Sequence, residues 1–205
     1  MESLTLLSLD TCENWGARFS FPRLRTLVLK DFELLIDGSI QNIHHLDMTE
    51  CVYRETETER GIFIEEPCWS YQFLQTVPNL VSLTWTAHTS RDEQLPRPVV
   101  LPFLKFLTLP SYGTHKHDTL CALERFIAPS LENLDLNLGP RTYPGHEETL
   151  KEVLDVICRD VSVQLRHLTL RCSPNLKWAN FRAISPHLDH LDTFTICDPS
   201  SSPFG

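Results

Sequence analysis

The sequence is short of the features from which activity is usually read. No apolar run approaches the roughly 18 residues of a membrane-spanning helix, so no membrane segment is expected. The amino terminus, MESLTLLSLDTCENW, has no basic stretch ahead of its leucines and turns polar after nine residues, which argues against a secretory signal. Positive charge is also scarce. Eighteen Lys and Arg against 27 Asp and Glu leave a net charge of -9. The broad attraction to phosphate backbones on which most nucleic-acid binders rely is therefore missing, and nucleic acid is not an expected partner.

Paired cysteine motifs are missing as well. The seven cysteines, at 12, 51, 68, 121, 158, 172 and 197, are odd in number and scattered without a C-x-x-C pair, and no N-x-[ST] sequon occurs. Both absences fit reduced thiols in a cytoplasmic or nuclear protein. There is no G-x-S-x-G elbow, Walker loop, H-E-x-x-H or dinucleotide fingerprint, so neither catalysis nor a cofactor is expected. His115 and His117, with Asp118 in the stretch SYGTHKHD, come nearest to a metal set. A lone H-x-H without a Cys or carboxylate at standard spacing is a weak zinc signal, and the plainer reading is an exposed loop next to a helix start. A metal-dependent enzyme built on His115 and His117 is the rival this motif leaves.

What the chain does have is a repeat, and a repeat must be recognised before any single element is interpreted. Leu104-x-x-Leu107-x-Leu109 has the spacing of Leu4-x-x-Leu7-x-Leu9, Leu24-x-x-Leu27-x-Leu29 and Ile43-x-x-Leu46-x-Met48. It returns as Leu80-x-x-Leu83-x-Trp85, Leu131-x-x-Leu134-x-Leu136 and Leu165-x-x-Leu168-x-Leu170. An eighth copy is degenerate: Leu188-x-x-Leu191 continues to Thr193, whereas Leu191-x-x-Phe194-x-Ile196 fits better. Proline stands two residues before the first apolar position at Pro22, Pro78, Pro102, Pro129 and Pro186.

Within each copy the L-x-L alternation predicts a short strand with one buried face, and proline ahead of it forbids a helix from running on into the strand. Copies begin at 4, 24, 43, 80, 104, 131, 165 and 188, with steps between 19 and 37 residues. The spacing predicts an α/β solenoid of about eight irregular repeats, with a parallel sheet on its concave face and helices and loops on its convex face. One domain over 1–197 and a disordered tail over 198–205 are expected.

Three return segments read as helical. Over 146–161, Leu150, Val153, Leu154, Ile157, Cys158 and Val161 fall on one face; Leu120, Leu123, Phe126 and Ile127 make a shorter stripe; Trp69, Phe73 and Val77 make a third. All three are expected to be core. Residues 50–66, with six glutamates, suit an exposed hairpin or a solvated loop, and less readily an acidic docking site.

Phrases such as FPRLRTLVL, VPNLVSLTW and APSLENLDL, with their P-x-L-x-x-L-x-L units of irregular length, resemble the leucine-rich repeats of fungal F-box proteins. The resemblance covers nearly the whole chain. Cys12 and Cys51 fall at the N/C position that follows the motif, although Phe32, His88, Tyr112 and Gly139 occupy it in other copies. It implies the substrate-recognition part of a cullin-RING ubiquitin ligase, in which an F-box recruits the ligase adaptor and the repeats hold the protein to be ubiquitinated. The first copy starts at residue 4, so the adaptor is an expected partner only if an F-box lies upstream. The other expectation is a stand-alone interaction scaffold with no ligase role.

The third and fifth positions of each copy point away from the core, onto the concave face. They place Thr26, Val28, His45, Asp47, Ser82, Thr84, Phe106, Thr108, Asn133, Asp135, His167 and Thr169 there as the candidate protein-binding surface. His190 joins them if the eighth copy is counted from Leu188. Interfaces favour an aromatic anchor within a polar rim, so Phe106 is the expected anchor.

Overall fold

The computed structural model describes residues 6–12, 23–32, 41–50, 56–57, 63–64, 74–85, 98–109, 123–138, 153, 155–157, 164–171 and 188–197. Eight strands form one sheet: β1 (Leu6–Cys12), β2 (Thr26–Phe32), β3 (His45–Glu50), β6 (Ser82–Trp85), β8 (Phe106–Leu109), β10 (Asn133–Asn137), β11 (His167–Arg171) and β12 (Thr193–Cys197). They lie side by side in chain order. Every neighbouring pair is parallel. Two small pairs complete the set: β4 (Thr56–Glu57) runs antiparallel to β5 (Phe63–Ile64), and β7 (Val99–Val100) runs parallel to β9 (Phe126–Ile127). The molecule is thus an α/β arrangement dominated by parallel sheet.

The register aligns the repeats position for position. The fourth residues form one row, Leu7, Leu27, Leu46, Leu83, Leu107, Leu134, Leu168 and Phe194. A slip by one residue would turn every leucine of a strand to the wrong face, and this penalty keeps the row straight. The eighth copy is therefore Leu191-x-x-Phe194-x-Ile196. Its third position is Thr193, paired with His167, so His190 does not belong to that row.

A main-chain ladder joins the strand entries. The carbonyl of Arg25 accepts from the N–H groups of both His44 and His45; His44 in turn accepts from Val81 and Ser82, and Val81 from Lys105 and Phe106. Lys105, Glu132 and Arg166 continue the series, each accepting from two successive N–H groups of the next copy at 2.8 to 3.1 Å. No side chain takes part in these rungs.

Turns before the strands explain the prolines more closely than the sequence did. Leu80, Leu104 and Leu131 each donate their N–H to the carbonyl three residues back, on Val77, Leu101 and Ala128. Pro78, Pro102 and Pro129 thereby occupy the second position of a β-turn, where the ring's fixed φ is already correct. Leu191 makes the same bond to Leu188, with Asp189 in the proline position. Pro22 and Pro186 lie outside the described residues. Consecutive turns are tied by Asn79 Nδ2 donating to the Gln41 carbonyl at 2.8 Å and Ser130 Oγ donating to the Pro102 carbonyl at 2.7 Å.

Leu24, Leu27, Ile43, Leu46, Met48 and the residues at motif positions one, four and six from Leu80 to Leu170 make one core. Each contributes about 1.5–3 kcal/mol gross from burial. Leu74, Val77, Val99, Leu101, Leu123, Phe126, Val153, Val156 and Ile157 join it from the return segments, so those segments cover the leucine side of the sheet. The predicted helices are met in part. Residues 153 and 155–157 are helical with Val153 and Ile157 buried; Val156, left off the expected stripe, is buried too. Leu150, Leu154, Cys158 and Val161 lie outside the described residues, as do Trp69, Phe73 and Leu120.

The 120–127 stripe needs correction. Residues 123–125 are helical, but Phe126 and Ile127 are strand β9, and Ile127 is 47% exposed. Phe126 sits against Trp85, with ring centroids 5.2 Å apart. Ile127 pairs with Val100 and its carbonyl accepts from Leu101. Packing on Trp85 and pairing with Val99–Val100 hold this aromatic and β-branched pair in extended backbone, where both residue types fit well.

β12 departs from the pattern. Phe194 and Ile196 continue the rows of Leu168 and Leu170, yet they are 38% and 42% exposed. In the 50–66 segment the antiparallel β4–β5 pair makes the hairpin of the two readings offered. The tail 198–205 lies outside the described residues.

Candidate functional site

The face opposite the leucines is built from two rows that run across the strands. The third positions read Thr26, His45, Ser82, Phe106, Asn133 and His167, ending at Thr193. The fifth positions read Val28, Asp47, Thr84, Thr108, Asp135 and Thr169, ending at Thr195. All twelve residues expected from the sequence therefore share one face. Ten are half-buried, while His45 and Phe106 are exposed. Strands lie about 4.7–4.9 Å apart, so neighbours within a row can touch.

Phe106 is a large apolar side chain of this surface, 45% exposed between Ser82 and Asn133. Beside it lies a shallow, open depression of about 220 Å³, lined by Phe106, Thr108, Asn133, Asp135, His167 and Thr169 among others. It crosses β8, β10 and β11.

The charges bordering the depression are already paired. Arg171 donates through Nε to Asp135 Oδ1 at 3.0 Å and through Nη2 to Oδ2 at 2.8 Å. Asp135 thereby pushes the Arg171 guanidinium above its usual value. Planar, two-pronged contact of this kind is the strongest form of side-chain ion pair. His167 Nδ1 lies 2.6 Å from Thr193 Oγ1 across β11 and β12. An imidazole on a hydroxyl is half of a base–nucleophile couple, but among the described residues no carboxylate hydrogen-bonds the ring's other nitrogen. The couple is a cross-strand link and not an activated nucleophile.

Arg171 and Thr193 were not among the residues expected here. Arg171 stands two residues past Thr169 on the same strand, hence on the same face, and meets Asp135 diagonally. That parity was readable one position beyond the motif. Thr193 was displaced from its row by counting the eighth copy from Leu188.

Entry residues at the second motif position form a separate, more exposed line. Lys105 Nζ donates to Glu132 Oε1 at 2.9 Å, and Arg166 lies 3.8 Å from Asp192. The bond from Lys105 holds the Glu132 carboxyl below its usual range. Arg25 Nη1 lies 3.1 Å from His44 Nε2 and 3.5 Å from Nδ1. Near-equal distances to both nitrogens put the guanidinium over the ring face, while His44 Nδ1 is 2.6 Å from the Asn42 carbonyl and donates to it.

Among the described residues no group of three or more His, Cys, Asp or Glu is placed to hold a metal ion. His115, His117 and Asp118 lie outside those residues. Among them, too, no helix is long and apolar enough to cross a membrane. Compared with protein-family models, with curated proteins and with solved structures, the chain matches none.

Proposed function

We propose that this chain is a leucine-rich-repeat solenoid whose concave face binds another protein, and that it serves as the substrate-recognition part of an F-box protein in a cullin-RING ubiquitin ligase. It acts by binding and not by catalysis, without cofactor, in the cytoplasm or nucleus. One observation carries the binding reading: two polar rows run in unbroken register across the sheet, with a half-exposed phenylalanine at their middle. Binding hot spots are commonly an aromatic anchor set within a polar rim, which is the arrangement around Phe106. The ligase context rests on the resemblance of the repeat units alone.

Affinity purification of the tagged chain from cells with the proteasome blocked tests both parts. Partners retained by the native chain and lost with Phe106→Asp support the face, and co-recovery of the ligase adaptor supports the ligase role. Partners that depend on Phe106 but arrive without the adaptor, even from the full-length gene product, would leave an interaction scaffold. Partners indifferent to Phe106→Asp would remove the face.

A further inference from the structure

Resting on the reading of this face as a protein-binding surface, we infer that its centre takes an uncharged, extended peptide segment. The segment is gripped through its main chain by the Asn133 carboxamide and anchored by one apolar side chain on the Phe106 ring. The neighbouring ion pair is what selects against charge. Asp135 spends both carboxylate oxygens on Arg171, and His167 Nδ1 is engaged by Thr193. What remains around the depression is the Phe106 ring, the hydroxyls of Thr108 and Thr169, the second ring nitrogen of His167 and the Asn133 amide.

None of those groups carries a permanent charge. A charged side chain lowered onto them would lose hydration without meeting an opposite charge, which is unfavourable. The Asn133 side chain forms no hydrogen bond among the described residues, although it is half-buried. A carboxamide offers two N–H donors and an acceptor oxygen, and a peptide unit one N–H donor and one carbonyl acceptor, so one main-chain amide passing over it can pair in both senses. Phe106 is its register neighbour on one side and His167 on the other. From Phe106 to His167 is two inter-strand steps, about 10 Å, or about three residues of extended chain at ~3.3 Å each.

Panning a random dodecapeptide phage library on the full chain tests this. Enriched peptides are resynthesised and titrated against the native chain, Asn133→Asp and Phe106→Ala at low and high salt. Asn133→Asp keeps the shape and removes both donors. The expected peptides share an apolar residue within a short uncharged stretch, hold their affinity as salt rises, and weaken about tenfold with either substitution, the loss of roughly 1.4 kcal/mol. If either variant's unfolding curve moves, Asn133→Thr and Phe106→Thr, which place a strand-favouring residue at each position, replace it. Peptides that require Lys, Arg, Asp or Glu in the contact stretch, or that weaken with salt, while still depending on Phe106, overturn this inference and leave the binding face standing. Peptides indifferent to both positions, or no enriched peptide at all, overturn both.

Discussion

At the scale of single residues, adjacent positions on one strand have opposite duties. Leu107 is 2% exposed in the middle of the leucine row, and Thr108 beside it faces out. Leu107→Asp buries an unpaired charge and should abolish the cooperative unfolding transition in a urea titration. Thr108→Asp should stay within about 1 kcal/mol of the native chain, as surface changes usually do. Equal damage from both would mean the facing is wrong. The Asp135–Arg171 pair is largely shielded, with side chains 26% and 20% exposed. Asp135→Ala should destabilise the fold by about 1–3 kcal/mol, since it strips a partly buried cation of its partner. A double-mutant cycle with Arg171→Met should recover much of that loss as coupling. The inward leucines were legible because alternation alone assigns a face. This pair was not, because it joins residues 36 apart through a diagonal that exists only once two strands are aligned.

At the scale of elements, the turn and the strand entry can each be perturbed separately. Pro102→Ala should lower stability by about 0.4–1 kcal/mol, chiefly by freeing the unfolded chain, and Asp189→Pro should raise it by a similar amount. Thermal unfolding of the two variants reads both signs. The Lys105–Glu132 bond contributes stability that is present above the ordinary carboxylate range, because the folded form holds Glu132 ionised. That contribution is lost as pH falls through the lowered value. The stability difference between the native chain and Glu132→Gln should therefore shrink from neutrality into acid, and a gap that widened on acidification would contradict the bond. Strands were legible from the repeat. The return segments were less so: Phe126 and Ile127 satisfy helical spacing, and what makes them strand is the ring of Trp85 and the edge of Val99–Val100, neither of which is local in sequence. Proline was read as a stop signal, whereas its closer role, opening a β-turn, needs the bond from the leucine two residues on.

At the scale of the whole molecule, protection should follow position in the sheet. Leu134, between β8 and β11, is fully packed, and Ile196 on β12 is 42% exposed. Leu134→Ala should cost about 2–5 kcal/mol, Ile196→Ala below about 1 kcal/mol. Native-state hydrogen exchange should find amides of β10 the slower and those of β12 the faster, because local opening is easiest where apolar contacts are fewest. Uniform rates across both strands would refute such a gradient. Chain order, pairing and core were foreseeable at this scale from a repeat of one spacing. The eighth copy was ambiguous because two overlapping frames of Leu188 and Leu191 both fit, and only pairing with β11 chooses between them. The carbonyl ladder at the strand entries has a further consequence. Since its rungs run from backbone to backbone, the ladder itself does not depend on which outward side chain each strand entry carries. A descendant of this chain can exchange Phe106 or Asn133, and so present a different outward surface, while the ladder that aligns its strands stays as it was.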